Sequence, residues 1–360
     1  MRVAAIDPRS QTKPFIGVRG EIMFMRKLGV VALMLCAFGA SASNFRAADQ
    51  VYVPIAGHAA GSSGTFITDA FIANLSGDSV DVSVIYVPLG PNEGANTPVL
   101  EEIRGKITLR GHERKELLDI FVNTLTKTSG LGMLVFNGCK SNSSCGPETQ
   151  DDDGFSENFR PISVETRIYQ ITQAGPNPPT TGQLFSGLPW YSFVSQLQNG
   201  AGLDKVFITG LTHTGGAGQA GTFRANIGVV NASEYSKTEI VFRLYQGTMT
   251  EADKKGEAVR SLGPLGNQQY GFAQLFPNIT GSNFFVTVEQ RNSTAVPSGV
   301  PDSCDLGCPA FFAYGSVLDN ISGDATTMEA QYLKELDPAA LDIIYPVGSG
   351  KGPLRRLVRP

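Results

Sequence analysis

Residues 64–90, GTFITDAFIANLSGDSVDVSVIYVPLG, align without a gap on residues 221–247, GTFRANIGVVNASEYSKTEIVFRLYQG. Eight of the 27 pairs are identical, whereas unrelated sequences of this composition would give roughly two. Upstream, VYVPIAGH at residues 51–58 aligns on VFITGLTH at residues 206–213. A repeated unit of about 150 residues has the length of a domain, so the sequence predicts an internal duplication of a whole domain.

The composition favours an all-β protein. Of the 360 residues, 41 are glycine and 21 are proline, and only 17% are charged. Frequent turn residues favour short strands over long surface helices, and the pattern suits a sandwich or a barrel. Over part of their run, Ile240, Phe242 and Leu244 alternate with polar or charged neighbours, as in a half-buried strand. Residues 80–88, which align on that strand, carry apolar side chains at both odd and even positions. The sequence therefore does not indicate which face of this strand is buried.

The repeat continues downstream and sets the predicted boundaries. Residues 109–121 align on residues 264–276, and residues 131–136 align on residues 283–288. We therefore predict one domain at 49–189 and a second at 205–332, followed by a C-terminal extension at 333–360.

The N-terminal segment resembles an export signal. A basic pair precedes a 12-residue apolar run at 28–39, and small residues at 40–42 fit a cleavage site. The run is too short for a spanning helix, which needs about 20 residues, so we predict no membrane span. We predict a signal peptide over 1–42, with 1–22 as a mis-assigned start. The mature chain would be secreted, periplasmic or on the cell surface.

The net charge of −4 provides no basic field, so we predict no nucleic-acid partner.

Cleavage of the signal peptide leaves four cysteines, in two close pairs. An even count in an exported chain indicates disulfides rather than zinc, because each pair supplies only two of four ligands. Proximity along the chain favours the bonds Cys139–Cys145 and Cys304–Cys308.

Residues 190–204 form the predicted linker between the two domains, and they begin with Trp190, the single tryptophan of the chain. Packing of the domains against each other is the simpler role for this side chain, and stacking on a ligand is the alternative.

A set of motifs resembles a known group of proteins. The pattern H-x-x-G, G-T-F-x-T-D and a later N is carried by His58, Gly61, Gly64, Thr65, Phe66, Thr68, Asp69 and Asn74. TRIY at 166–169 and AYGSVLDNISGD at 313–324 also fit. The chain resembles exported bacterial proteins of unknown function with tandem immunoglobulin-like β-sandwiches. The chain departs from that pattern at Ile67 and Arg224, where a tryptophan is frequent, and at Asn226. The resemblance implies two such sandwiches and lends no activity.

The candidate ligand-binding residues are His58, His213 and Trp190. The two histidines occupy aligned positions. Such a repeat suits either a repeated ligand or, more simply, a cap on the turn before the glycine-rich loop.

An acidic loop is the candidate metal site, with calcium as its ion. The carboxylates are those of Asp151, Asp152, Asp153 and Glu157. Clustered carboxylates suit a hard cation, but the spacing does not fit an EF-hand, and a solvated loop is the alternative.

Asn74 and Asn231 are aligned and both begin Asn-x-Ser sequences. We predict that each ends a strand, because Asn side chains bond to the backbone of turns.

The sequence favours a non-catalytic binding or structural protein of the cell exterior, because no acid, base and nucleophile set recurs in both repeats. Its expected partners are an extracellular polysaccharide, a surface protein or, by self-assembly, further copies of the chain. The alternatives are a secreted hydrolase that acts on an external polymer and a filament or surface-layer subunit, so enzyme activity stays open.

Overall fold

The structure is a computed structural model, and it describes residues 47–61, 64–93, 101–102, 106–145, 149, 156–171, 180–194, 205–233, 237–291 and 310–332. The chain divides into two units, Met1–Asn44 and Phe45–Pro360. The predicted signal peptide, Asp151, Asp152, Asp153, Cys304, Cys308 and the C-terminal extension lie outside the described residues. No described helix is long and apolar enough to cross a bilayer.

The described residues before Trp190, here called the first half, are mostly strand. The strands are β1 (Gln50–Ala60), β2 (Thr65–Asn74), β3 (Val80–Pro88), β4 (Glu101–Glu102), β5 (Ile107–Leu109), β6 (Arg114–Leu117), β7 (Gly130–Lys140), β8 (Ile162–Ile171), β9 (Thr180–Ser186) and β10 (Leu188–Pro189). One short helix, α1 (Ile120–Asn123), lies between β6 and β7. A 3₁₀ turn, Trp190–Ser192, follows β10.

The described residues from Lys205 onward, the second half, repeat this composition. The strands are β11 (Lys205–His213), β12 (Phe223–Asn231), β13 (Thr238–Tyr245), β14 (Lys254–Leu262), β15 (Asn267–Gly271), β16 (Gly281–Arg291), β17 (Phe311–Asp319), β18 (Ala325–Glu329) and β19 (Gln331–Tyr332). Helix α2 (Phe272–Leu275) lies between β15 and β16. The predicted all-β class is confirmed.

The strand orders of the two halves match, and all the pairings are antiparallel. The first half forms a ten-stranded sheet with two limbs, which join where Ala59 of β1 pairs with Phe66 of β2. Limb A has the order β6-β2-β8-β9, and limb B has β3-β7-β1-β10 with β4 and β5 on the outer side of β3. In the second half, sheet C has the order β15-β12-β17-β18, and sheet D has β14-β13-β16-β11-β19.

The strand registers support the alignment of 51–58 on 206–213. Val51 lies opposite Phe136 in the first half, and Val206 lies opposite Val288 in the second. Strands β1 and β11 also carry a register shift at the matching place, directly after Val53 and Ile208.

The gapless alignment of 64–90 on 221–247 is wrong by one residue from β3 onward. Val84 lies opposite Phe136, and Phe242 lies opposite Val288, so Val84 corresponds to Phe242. The extra residue falls in the connection before β13, which is one residue longer than the connection before β3. The gap is required because a slip of one residue would turn every side chain of a strand to the other face.

The alignment of 109–121 on 264–276 shifts by two residues. Arg114 lies opposite Ala73, and Asn267 lies opposite Val230, so Arg114 and Asn267 correspond. With this shift His112 corresponds to Leu265, and both residues have a positive φ, 60° and 50°. The shared left-handed turn defines the match better than the side chains do.

Each half encloses a core between its two layers. Val84 of limb B and Ile72 of limb A are fully buried in one cluster. Phe242 of sheet D and Ile227 of sheet C are fully buried in another. Burial of both inner faces is what the apolar positions of these strands provide.

The outer face of limb B packs against sheet C, so the two halves share a core. Tyr52 contacts Phe193 in an edge-to-face arrangement at 4.7 Å, and Phe193 stacks on Phe312 of β17 at 4.8 Å. Ile85, whose side chain points away from limb A, is 1% exposed and belongs to the same cluster. Burial on both faces explains why residues 80–88 are apolar on both parities.

Candidate functional site

A polar cluster lies at the end of limb A nearest helix α1, and its central residue is Asp119. The backbone of Asp119 is left-handed, with φ 41°, and its side chain accepts a hydrogen bond from the Val122 N–H at 3.4 Å. Aspartate tolerates this conformation better than most residues, and it caps the helix. The cap turns the carboxylate toward strand β1.

Asp119 binds His58 of β1. The His58 Nδ1 atom lies 3.0 Å from Asp119 Oδ2 and 3.2 Å from Oδ1. An ionised carboxylate only accepts hydrogen bonds, so the Nδ1 atom of His58 carries the hydrogen of this contact. The two side chains are 23% and 19% exposed, so the pair can be reached from solvent.

Asp69 of β2 is hydrogen-bonded to the backbone of the same turn. Its Oδ1 atom accepts hydrogen bonds from the Asp119 backbone N–H at 2.8 Å and from the Tyr169 hydroxyl at 3.4 Å. Asp69 is only 7% exposed, and none of the ion pairs among the described residues involves it. A carboxylate this buried is costly unless its oxygens are hydrogen-bonded.

Tyr169 and Arg167 of β8 form the side of the cluster. The Arg167 guanidinium lies 4.8 Å from the centre of the Tyr169 ring and donates a hydrogen bond to Thr180 Oγ1 at 2.7 Å. Burial, followed by the negative charge of Asp69, raises the pKa of the Tyr169 hydroxyl. The hydroxyl therefore remains a hydrogen-bond donor at neutral pH.

Two exposed apolar side chains stand beside Asp119 in the chain. Leu118 is 56% exposed and Val122 is 42% exposed, while Ile120 and Phe121 between them are fully buried. Single exposed apolar side chains of this kind are common on protein surfaces.

The second half builds the corresponding place without these charges. Leu117 lies opposite Ala70 and Tyr270 lies opposite Ile227, so Phe272, two residues after Tyr270, corresponds to Asp119. The His213 ring stacks on Phe272 with centroids 4.9 Å apart. Burial lowers the pKa of His213, and its Nδ1 atom is buried without a partner in the described structure.

The other two positions of the cluster are also neutral in the second half. Asn226 corresponds to Asp69, and Leu318 corresponds to Tyr169, as the pairings of β12 with β17 and of β2 with β8 show. Two carboxylates and a phenol in the first half are thus replaced by an amide, a phenyl ring and an aliphatic chain.

Trp190 lies far from this cluster and is 8% exposed. Its Nε1–H donates to Asp49 Oδ1 at 3.0 Å, and its ring belongs to the core that the two halves share. Trp190 follows β10, which pairs with Val51, whereas His58 lies seven residues further along β1. That separation is about 23 Å at the rise of an extended strand. Its burial supports the packing role.

Asn74 and Asn231 each end a strand and bond to the backbone of a turn, as predicted. Asn74 Oδ1 accepts from the Ser76 N–H at 2.9 Å, and Asn231 Oδ1 accepts from the Ser233 N–H at 3.1 Å. The amide of Asn74 donates to Arg110 O at 2.8 Å, and that of Asn231 donates to Gly263 O at 2.7 Å. Both side chains are buried and fully used.

One predicted disulfide is confirmed. Cys139 and Cys145 are bonded, with an S–S distance of 2.05 Å and a Cα–Cα distance of 6.0 Å. The predicted Cys304–Cys308 bond lies outside the described residues.

The predicted calcium loop stays a prediction. Of its four residues only Glu157 is described, and it is exposed. In the described part of the chain no three His, Cys, Asp or Glu side chains gather as a metal site would require.

The sequence contained only a partial signal for the cluster. Asp69 and Tyr169 belong to the motifs quoted above, but Asp119 belongs to none of them. Its contact with His58 spans 61 residues, and no local pattern records such a contact.

No family model matches the chain, and the curated proteins contain no match to it.

Proposed function

We propose that this chain is an exported, non-catalytic binding protein of the bacterial cell exterior, secreted, periplasmic or held at the surface. Its binding site is the polar cluster of His58, Asp69, Asp119 and Tyr169. The second half supports the first and carries no equivalent site. The partner is an extracellular polysaccharide or a surface protein.

One observation carries this proposal. At the position of the Asp119–His58 pair, the second half keeps the same strands and a short helix, and Phe272 stacks on His213. There the helix follows the extended Gly271, so the second half forms it without a carboxylate cap, whereas Asp119 caps α1 in the first half. Partly buried carboxylates that one half has and the other lacks are typical of functional sites.

We further propose that the two halves arose by duplication of one β-sandwich unit. The matching strand orders and the matching bulges support this origin. The likeness to immunoglobulin domains extends to two antiparallel layers around one core. The strand order differs from the immunoglobulin arrangement, in which strands A, B, E and D form one sheet and C, F and G form the other.

The filament alternative has less support. In a filament, a further chain would pack on the outer face of sheet D as the second half packs on limb B, and that face of sheet D is charged. On limb B, the row Tyr52–Val135–Ile85 packs against the second half. Arg243 of sheet D corresponds to Ile85, and it pairs with Glu257 at 3.1 Å and also with Glu289. Burying such paired charges in a further stacked interface would cost desolvation energy.

The hydrolase alternative has one favouring observation, the His58–Asp119 pair. A carboxylate that orients a histidine is a common part of hydrolytic sites, where the other ring nitrogen activates a nucleophile. Within the described residues, no hydroxyl or thiol is hydrogen-bonded to His58 Nε2. Turnover assays on external polymers decide between the two readings.

The test removes the two carboxylates while keeping the shape of the side chains. The double variant Asp69→Asn, Asp119→Asn should fold, because Asn226 stands at the position of Asp69 in the second half and asparagine tolerates the left-handed backbone of residue 119, but it should no longer be retained on envelope preparations of the source cells. Asp324→Asn, which removes an exposed carboxylate elsewhere, is the control. Unchanged retention of the double variant would refute the proposal. Polymer turnover that His58→Ala abolishes would favour the hydrolase.

A further inference from the structure

We propose that a bound water molecule lies between the two halves and joins strand β9 of limb A to strands β17 and β18 of sheet C. Its partners are the side chains of Gln183, Ser316 and Thr327. None of these residues belongs to the polar cluster around Asp119, so the proposal does not depend on the proposed function. The water adds a polar contact to the apolar core that the two halves share.

Strand β9 touches sheet C at two places along its length. The Phe185 ring packs edge-to-face on the Tyr314 ring of β17, with centroids 5.5 Å apart. At the other end of the strand, Thr181 lies against the connection between β17 and β18, since a Cβ added at Gly323 would be 3.8 Å from the Thr181 Oγ1 atom. These two contacts hold β9 alongside the β17–β18 hairpin.

Three polar side chains lie between these two contacts and face each other. Gln183 is two residues from each contact residue of β9, so its side chain leaves the strand on the same face. Ser316 is two residues after Tyr314 and shares the face of that ring. Thr327 lies directly opposite Ser316 in the pairing of β17 with β18, so the two hydroxyls are close neighbours on one face.

The polar ends of these three side chains are buried, and none of them has a hydrogen-bond partner among the described residues. The atoms are Gln183 Oε1, Ser316 Oγ and Thr327 Oγ1. Ser316 as a whole is only 1% exposed. Leaving a buried polar group unbonded costs free energy, and most such groups in native proteins are bonded to protein or to ordered water.

The hydrogen-bonding capacity of the three groups matches that of a water molecule. The Gln183 oxygen can only accept, whereas each hydroxyl can both donate and accept. The hydroxyls and this acceptor face each other without bonding directly, which is the separation that a bridging water spans. A water can donate to Gln183, donate to one hydroxyl and accept from the other. Buried waters typically make about three such bonds.

The surroundings favour a neutral, slowly exchanging ligand. The three groups are uncharged, and three oxygens are fewer than the six or more that calcium takes. Phe185, Tyr314 and Ile168 belong to one apolar cluster, and Ile168 lies directly opposite Gln183 in the pairing of β8 with β9. Apolar side chains at this border separate the water from the bulk solvent.

The first experiment detects the water by nuclear magnetic resonance in the full chain with labelled threonine methyl groups. We expect NOE and ROE cross-peaks of opposite sign between water and the Thr327 methyl group, as a slowly exchanging water gives. The exposed Thr326 on the same strand is the matched control and should show no such cross-peaks. In Gln183→Leu the Thr327 signal should disappear, although Thr327 keeps its own hydroxyl.

The second experiment compares melting temperatures. Thr327→Val and Ser316→Ala should each lower the melting temperature, because each removes a partner of the water. The double variant should lower it by less than the sum of the two shifts, since both changes disrupt the same water. Thr326→Val, at the exposed neighbour, is the control and should melt as the unmodified chain does. Were the three groups dry, removal of an unbonded hydroxyl would leave the melting temperature unchanged or raise it.

The proposal is overturned by a folded Thr327→Val that melts at or above the temperature of the unmodified chain, or by additive shifts in the double variant. Absence of slowly exchanging water at the Thr327 methyl group would also overturn it, and that measurement needs no variant to fold. A melting temperature that differs between sodium and potassium chloride at equal concentration, but not in Thr327→Val, would assign the site to a monovalent cation instead.

Discussion

Asp119 and Phe272 occupy corresponding positions in the two halves, and each contacts the histidine of its own half. Asp119 accepts a hydrogen bond from His58 at 3.0 Å, whereas Phe272 stacks on His213 at 4.9 Å. The matched position thus holds a polar pair at a left-handed helix cap in the first half, and an apolar stack on the first residue of the helix in the second. The pair marks where the halves differ in chemistry, and it defines the first two predictions.

Asp119→Ala should lower the free energy of unfolding by about 1–2 kcal/mol, because it removes a helix cap and the partner of His58. Urea denaturation measures the change, and the nitrogen chemical shifts of the His58 ring should report loss of the fixed Nδ1–H form. Asp324→Asn serves as the control. An unaltered His58 signal in Asp119→Ala would show that the carboxylate does not orient the ring.

His213 should make the protein less stable in acid. Burial lowers its pKa in the folded state, so below the ordinary histidine pKa of about 6.5 the unfolded chain binds the proton more tightly. Stability should therefore be full above about pH 6.5 and fall as the pH drops toward the lowered value. Melting temperatures measured between pH 7.5 and 5 test this.

The matched variant for that pH series is His213→Gln, which cannot take up a proton in this range. Its curve should be flatter than that of the unmodified chain over the same interval. Curves of equal slope would mean that His213 does not titrate differently in the two states.

Gly228→Ala should destabilise the protein, because the Tyr314 ring lies directly over Gly228. An added Cβ would be 2.0 Å from the ring atoms Cε1 and Cζ, and Tyr314 is buried against Phe185. We expect a loss of about 1–3 kcal/mol, as for other overpacked cores. Gly216→Ala is the control, since nothing lies within 4 Å of its added Cβ. Equal stability of the two variants would contradict the close approach.

The two halves should unfold together, because limb B and sheet C share one core. Phe312→Ala, in the second half, removes the ring that stacks on Phe193 and should cost about 3–5 kcal/mol. Trp190 fluorescence and far-ultraviolet circular dichroism should then show coincident transitions, shifted by the same amount. Two separate transitions, only one of them moved by Phe312→Ala, would show that the halves fold independently.

Local features of the chain could be predicted from the sequence, whereas the exact alignment of the two halves could not. Asn74 and Asn231 were predictable as turn residues because an Asn side chain bonds within its own turn, two residues away. The Cys139–Cys145 bond was predictable because the two cysteines are only six positions apart in the chain. The alignment, by contrast, missed the extra residue before β13, because a loop insertion leaves no trace in the alternation of the following strand.

The sequence by itself determined that the chain is all-β, that its two halves match along β1 and β11, and where its local turns and its local disulfide lie. These properties depend on composition, on spacing and on interactions between near neighbours. The tertiary structure alone decided what covers each buried face and which distant side chains meet. Residues 80–88 are apolar on both sides because one side faces limb A and the other faces the second half. An apolar side chain in the sequence does not indicate which surface will cover it. Asp119 meets His58 only because a left-handed turn after β6 lies beside the end of β1.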